Sequence, residues 1–148
     1  MFNNCTSLVN APELPAKTLT EYCYYNMFND CTSLVNAPDL PATTLAQYCC
    51  NHMFYGCTSL VNAPELPATT LASSCYEKMF ENCISLKKAP SVLPATELAS
   101  SCYSNMFASC YSLLNAPDLP ATTLAQYCYN HMFNNCYLIN EYRCNIMY

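Results

Sequence analysis

The stretch Met53-Phe54-Tyr55-Gly56-Cys57-Thr58-Ser59-Leu60 decides the fold, because its pattern returns along the whole chain. Its core, Met-Phe-x-x-Cys, occurs six times at a step of 26 residues, with a single step of 27 where Ser91-Val92 replaces one acidic residue. The copies open at Met1, Met27, Met53, Met79, Met106 and Met132. A fixed period of this length is typical of a solenoid, in which each unit buries its apolar side chains against its neighbours.

Length and composition narrow the classes of protein. The 148 residues suit one domain, 1–148, and 53% hydrophobic residues supply a core. A net charge of −5 argues against nucleic-acid binding, for which a basic stripe is expected. No run of about 18 apolar residues is present, so membrane insertion is not expected. No signal peptide precedes the repeats, and Met1 already stands in the repeat's Met column, which indicates a fragment of a longer protein.

Each unit begins with a predicted short strand. Cys5–Ala11 is partly alternating, and Pro12 follows it. Proline cannot donate to a strand ladder, so the proline column should end the strand in every unit. Successive strands are then expected to pair in parallel, about 4.8 Å apart.

The second half of each unit carries the pattern of a helix. Thr18–Glu21 fits a capping box, which returns at Thr44–Gln47 and Thr123–Gln126. Leu19, Cys23 and Met27 follow at intervals of four, as on one face of a helix. We therefore predict five helices of about ten residues and an α/β solenoid.

A stop signal precedes each closing cysteine. The residues there are Asn4, Asp30, Gly56, Asn82, Ser109 and Asn135. Asn, Asp and Gly tolerate the left-handed backbone conformation, and the only glycine of the chain stands in this column. The column predicts a left-handed residue at the end of every helix.

The repeat resembles the BspA-like leucine-rich repeats of bacterial and protist surface proteins. The resemblance rests on residues 53–60 followed by Ala63-Pro64-Glu65-Leu66-Pro67, and it extends from Met1 to about Leu138. It implies a right-handed leucine-rich-repeat coil of about five and a half repeats, with short parallel strands on a concave side and short helices on a convex side. It also implies adhesion or protein binding at the cell surface, or secretion.

Thirteen cysteines are the first candidates for chemistry, and eleven of them fall in two repeat columns. They are interpreted as small buried side chains between units. Disulfides between neighbouring units are the alternative, although parallel side chains suit the bridge dihedral poorly and the odd total leaves one thiol over. Cys49-x-x-His52 and Cys128-x-x-His131 each offer two ligand types, yet neither completes the four ligands of a zinc site.

The acidic column, Glu13, Asp39, Glu65 and Asp118, is a second candidate. Carboxylates at unit spacing suit calcium, while solvated charge before a helix N-terminus explains them more simply. No metal and no cofactor are expected.

The third candidate lies on the strand side, where an asparagine column is interrupted by two lysines that replace Val-Asn. The predicted binding residues are Asn10, Asn36, Asn62, Lys87, Lys88 and Asn115. Solenoid faces of this kind commonly bind extended partners. The asparagines could equally serve structure, with their amides bonded to one another between units.

Residues 137–148 depart from the pattern of residues 1–136 and are predicted to form a degenerate C-terminal cap. The opposite end lacks such a device, so end-to-end self-association is expected.

The sequence thus favours a non-enzymatic binding or adhesion module with a protein partner. A structural spacer without a ligand is the alternative, and a thiol- or metal-dependent enzyme is a third class.

Overall fold

The chain winds as a solenoid whose successive units pair side by side. The computed structural model describes residues 1–139, so most of the predicted cap, including Glu141, Arg143 and Cys144, lies outside the described residues. Parallel pairing is confined to single-residue bridges. One row of bridges joins Asn10, Asn36, Asn62, Lys88 and Asn115, and a second joins Thr18, Thr44 and Thr70. Further bridges join Val92 to Asp118 and Glu97 to Thr123. The 26-residue period is therefore the step of the coil.

The core consists of columns of identical side chains, one from each unit. Leu34, Leu60, Leu86 and Leu113 are fully buried, as are four of the phenylalanines. The phenylalanine rings form a continuous stack from Phe2 to Phe133, with neighbouring centroids 5.4–5.5 Å apart. Burial of one such side chain stabilises by about 1.5–3 kcal/mol before conformational entropy is subtracted. The columns thus join each unit to both of its neighbours.

The five predicted helices are absent: over residues 1–139 the structure has no helix and no extended strand. No described segment is therefore a helix that could cross a membrane. Turns take the place of the helices, at 21–30, 47–56, 73–82, 100–109 and 126–135. The capping boxes at Thr18, Thr44 and Thr123 consequently cap no helix, and the short strands are reduced to bridges.

Hydrogen bonding in these turns alternates along the chain. In the second unit, the N–H groups of Cys49, Asn51 and Met53 donate to carbonyls three residues earlier. The N–H groups between them, those of Cys50 and His52, donate instead to Cys75 and Glu77 of the next unit. Half of the amides therefore close local turns and half join neighbouring units, and both sets are satisfied without a helix.

Left-handed residues punctuate the turns every four positions. The left-handed conformation predicted for the stop column is confirmed, because all six of its residues have φ between 55° and 69°, although no helix ends there. Two further columns share this conformation. They contain Tyr22, Tyr48, Ser74, Ser101 and Tyr127, and Asn26, His52, Lys78, Asn105 and His131. A left-handed residue at every fourth position is incompatible with a right-handed α-helix.

The spacing of the units explains why helices are excluded. Bridged strands lie about 4.8 Å apart, whereas packed α-helices need about 8–10 Å between their axes. The phenylalanine stack on the turn side advances by only 5.4–5.5 Å per unit. A helix in every unit would not fit this advance. The bridge side and the turn side of the coil therefore advance by similar distances per unit. Turns, unlike helices, are narrow enough to fit this advance.

Glycine substitution distinguishes these turns from helices. Ser101 has φ of 54°, whereas Ser73, also half-buried, is not among the positive-φ residues. We expect Ser101→Gly to raise the free energy of unfolding by about 0.5–1 kcal/mol, because glycine relieves left-handed strain. Ser73→Gly should lower it by about 0.5–1 kcal/mol. Urea unfolding followed by circular dichroism measures both, and a loss of stability in both variants would contradict the turn structure.

Candidate binding face and thiol columns

The structure brings all six predicted binding residues together on one surface. Asn10, Asn36, Asn62, Lys88 and Asn115 form the first row of bridges. Lys87 lies in the adjacent row, where its N–H donates to the Val61 carbonyl and its own carbonyl accepts from the Leu114 N–H. We call these two rows the bridge face; its members are residues 9, 35, 61, 87 and 114 with residues 10, 36, 62, 88 and 115.

The bridge face is exposed and partly apolar. Val9, Val35 and Leu114 expose 48%, 40% and 49% of their surface, and both lysines are exposed. Within the described part of the chain, amide pairing occurs once along the row, where Asn36 Nδ2 donates to Asn10 Oδ1 at 3.1 Å. The alternative of an amide ladder thus applies to the first pair, and the side chains of Asn62 and Asn115 are available to a partner.

The acidic column runs beside this face. Glu65 accepts hydrogen bonds from the Ser91 N–H and hydroxyl at 2.8–3.2 Å. Glu13 and Asp39 line an open groove of about 350 Å³ with Pro12, Pro15 and Pro38 among its walls. Among residues 1–139, no three side chains of the metal-ligating types gather in one place. The column therefore has a local structural use at Glu65 and borders a proline-lined groove at its start.

The cysteines that close the repeats have a direct structural use. In every unit after the first, the thiol donates to the carbonyl of a phenylalanine in the preceding unit, at 3.0–3.1 Å. The pairs are Cys31–Phe2, Cys57–Phe28, Cys83–Phe54, Cys110–Phe80 and Cys136–Phe107. All twelve cysteines of the described residues are free thiols. A protonated thiol is needed to donate, so this arrangement favours reduced cysteines in this column over bridges between units.

Cys49 and Cys50 differ from the remaining thiols because they are neighbours in sequence. Both are buried, and their Sγ atoms lie 3.8 Å apart. Their mutual hydrogen bond lowers the pKa of Cys49, whereas the same contact and burial raise the pKa of Cys50. His52 is half-buried and bonds through its ring to the Asn51 amide, and burial together with Lys78 lowers its pKa. Cys49 and His52 thus serve separate contacts, and the structure does not join them in a site.

Sequence reasoning missed the aromatic character of the turn side. Tyr22 and Tyr48 stack with centroids 5.1 Å apart, and Tyr25 and Tyr55 flank His52. The column that contains Tyr22, Tyr48 and Tyr127 was the available signal, although serine at its two other positions favours a solvated face. The buried Tyr103 hydroxyl has no hydrogen-bond partner among the described residues, and desolvation raises the Tyr103 pKa.

Comparisons with known proteins add one structural likeness. No family model and no curated protein matches this chain. A leucine-rich repeat protein from Bacteroides ovatus is similar in structure, with a TM-score of 0.45 and 19% identity over 93% of this chain and 38% of that protein. The chain thus spans little more than a third of that protein's length. A likeness this weak does not assign a family or a function to the chain. The solenoid is shown instead by its own bridges and hydrogen bonds.

Alkaline pH should weaken the coil through its buried thiols. Desolvation raises the pKa of Cys57 from 9.0 to about 12. Below pH 9 the thiol is protonated in both the folded and unfolded chain. Between pH 9 and about 12 the unfolded chain loses the proton first, so stability falls as pH rises. We expect a loss of about 1 kcal/mol per pH unit from this thiol.

Urea unfolding at several pH values, under reducing conditions, measures this loss. Cys57→Ser is the comparison, because a serine hydroxyl can replace the thiol as donor to Phe28 and does not ionise in this range. Its free energy of unfolding should decline less steeply above pH 9 than that of the wild type. Equal slopes would show that the Cys57 pKa is not raised by folding.

Proposed function

We propose that this chain is a non-enzymatic binding module whose bridge face contacts a protein partner. One observation carries the proposal: the six polar and charged residues singled out by the repeat lie in two adjacent exposed rows, with a regular step between units. Regularly spaced donors and acceptors suit an extended polypeptide, whose own groups recur at short intervals. Exposed valines and Leu114 offer apolar contact between them.

The finer parts of the proposal follow from the sequence resemblance. BspA-like leucine-rich repeats are associated with adhesion and with display at the cell surface, and we extend both to this chain, with a host or surface protein as partner. A thiol-based or metal-based activity is less suited to the site, because the thiols serve as structural donors to carbonyls.

A spacer without a ligand is the second candidate. It is favoured by the amide bond between Asn36 and Asn10, which uses the bridge face for contacts within the chain. The two candidates differ in what the bridge face does once the coil is intact. A spacer needs these residues only for stability.

Peptide display separates the two. Random 12-residue peptides are panned on the immobilised chain, and enriched peptides are measured against Asn62→Ala/Asn115→Ala. We expect a loss of about 1–2 kcal/mol of binding free energy, roughly 5- to 30-fold in Kd, because two hydrogen-bonding amides are removed. The thermal unfolding midpoint should stay close to that of the wild type.

The matched control is Gln47→Ala/Gln126→Ala. It removes two exposed amides from the turn side and should leave peptide affinity unchanged. Peptides that bind both double variants equally, or a library with no enrichment, would favour the spacer.

A further inference from the structure

The fourth unit reverses the local charge of the repeat. Residues 84–93 contain Lys87 and Lys88 and no acid, for a charge of +2. The equivalent stretches 6–14, 32–40, 58–66 and 111–119 each contain one acid and no cation, for a charge of −1. Two changes combine here, since the lysines replace Val-Asn and Ser91-Val92 replaces the acid. In a chain with a net charge of −5, this is a local positive patch.

The acids of the described residues do not pair with these two lysines. The Glu65 carboxylate, one unit away, is engaged by the Ser91 N–H and hydroxyl. Within residues 1–139, neither Lys87 nor Lys88 forms an ion pair through its ammonium group. Both side chains are exposed. The two ammonium groups are therefore free to meet carboxylates from another molecule.

Apolar side chains border the patch on both sides. In the row of Lys87, Val61 comes before and Leu114 after. Ile84 and Tyr111 lie three residues before Lys87 and Leu114, and they expose 41% and 44% of their surface. Two unit steps of about 4.8 Å separate Val61 from Leu114, which matches about three residues of an extended peptide. The surface thus fits a short segment in which acidic residues stand between apolar ones.

We propose that the bridge face at the fourth unit docks an extended acidic segment of a partner protein, with apolar residues on either side of paired carboxylates. The inference rests on the proposed function and names the chemistry of its partner. Lys87 and Lys88 meet the carboxylates, Val61 and Leu114 contact the flanking apolar side chains, and the amides of Asn62 and Asn115 bind the partner's backbone. Charge complementarity selects the acidic segment, because no other stretch of the bridge face carries a cation.

A labelled 12-residue peptide with a central Leu-Asp-Glu-Val tests the inference on the full chain. Fluorescence anisotropy should give an affinity at least about tenfold higher than that of the same peptide with Leu-Asn-Gln-Val, because two charge contacts are lost. Binding should weaken between about 0.05 M and about 0.5 M NaCl, since exposed charges are screened. Lys88→Gln should raise Kd about three- to tenfold.

Matched variants make the result specific. Lys17→Gln removes one exposed cation away from the bridge face and should not change Kd. Lys87→Glu/Lys88→Glu reverses the charge of the patch and should bind a peptide with Leu-Lys-Lys-Val in place of the acidic one. Equal Kd values for Lys17→Gln and Lys88→Gln would overturn the inference, as would binding of a sulfated polysaccharide without binding of the acidic peptide.

The peptide-display experiment tests the proposed function independently of the acidic partner. If display enriches neutral peptides that depend on Asn62 and Asn115, the binding module stands and the acidic partner is rejected. If no peptide depends on the bridge face, both are rejected.

Discussion

The structure depends on one constraint: the backbone of each unit must hydrogen-bond to the next at the spacing of paired strands. Alternate N–H groups of the first four turns, such as those of Cys50 and His52, donate to the following unit. The remaining N–H groups close turns within their own unit. This arrangement satisfies the amides on the turn side at an advance of 5.4–5.5 Å per unit. A helix would satisfy its amides internally and would require almost twice the room.

The same constraint explains why some columns never vary. A side chain in a column packs against an identical side chain one unit away. Its shape must therefore be complementary to a translated copy of itself. Flat phenylalanine rings do so by offset stacking, and their planes stay within 11° of one another. The cysteine that follows each phenylalanine is small. Its thiol donates a second hydrogen bond to a phenylalanine carbonyl of the preceding unit, which already accepts from a cysteine N–H of its own unit. Stacking and thiol donation therefore act together in every unit after the first.

The sequence predicted the period, the left-handed residue before each closing cysteine and the buried columns, although Cys23 is exposed. It did not predict the turns, for a definite reason. Leu19, Cys23 and Met27 are spaced by four, which places them on one side of a helix but equally on one side of a chain that turns every four residues. Hydrophobic periodicity therefore cannot distinguish a helix from a chain of four-residue turns. Tyr22 marks the difference, because its left-handed φ of 58° is not one that tyrosine indicates. Asparagine suits the φ of 52° at Asn26, but its column also contains lysine, which indicates no left-handed conformation.

The two departures from the repeat in the fourth unit, the lysine pair and the lost acid, are not explained by packing. Lys87 and Lys88 keep the backbone bridges of their rows, so the coil does not need them to be lysines. An exposed cation in place of valine or asparagine adds little to stability, since charges at the surface contribute about 0–1 kcal/mol even when paired. The replacement of the acid by Ser91-Val92 in the same unit adds no packing either. Glu65 of the preceding unit accepts hydrogen bonds from Ser91 and so stabilises the longer loop. Both departures shift the charge in the positive direction within one unit, as the proposed docking of an acidic segment requires.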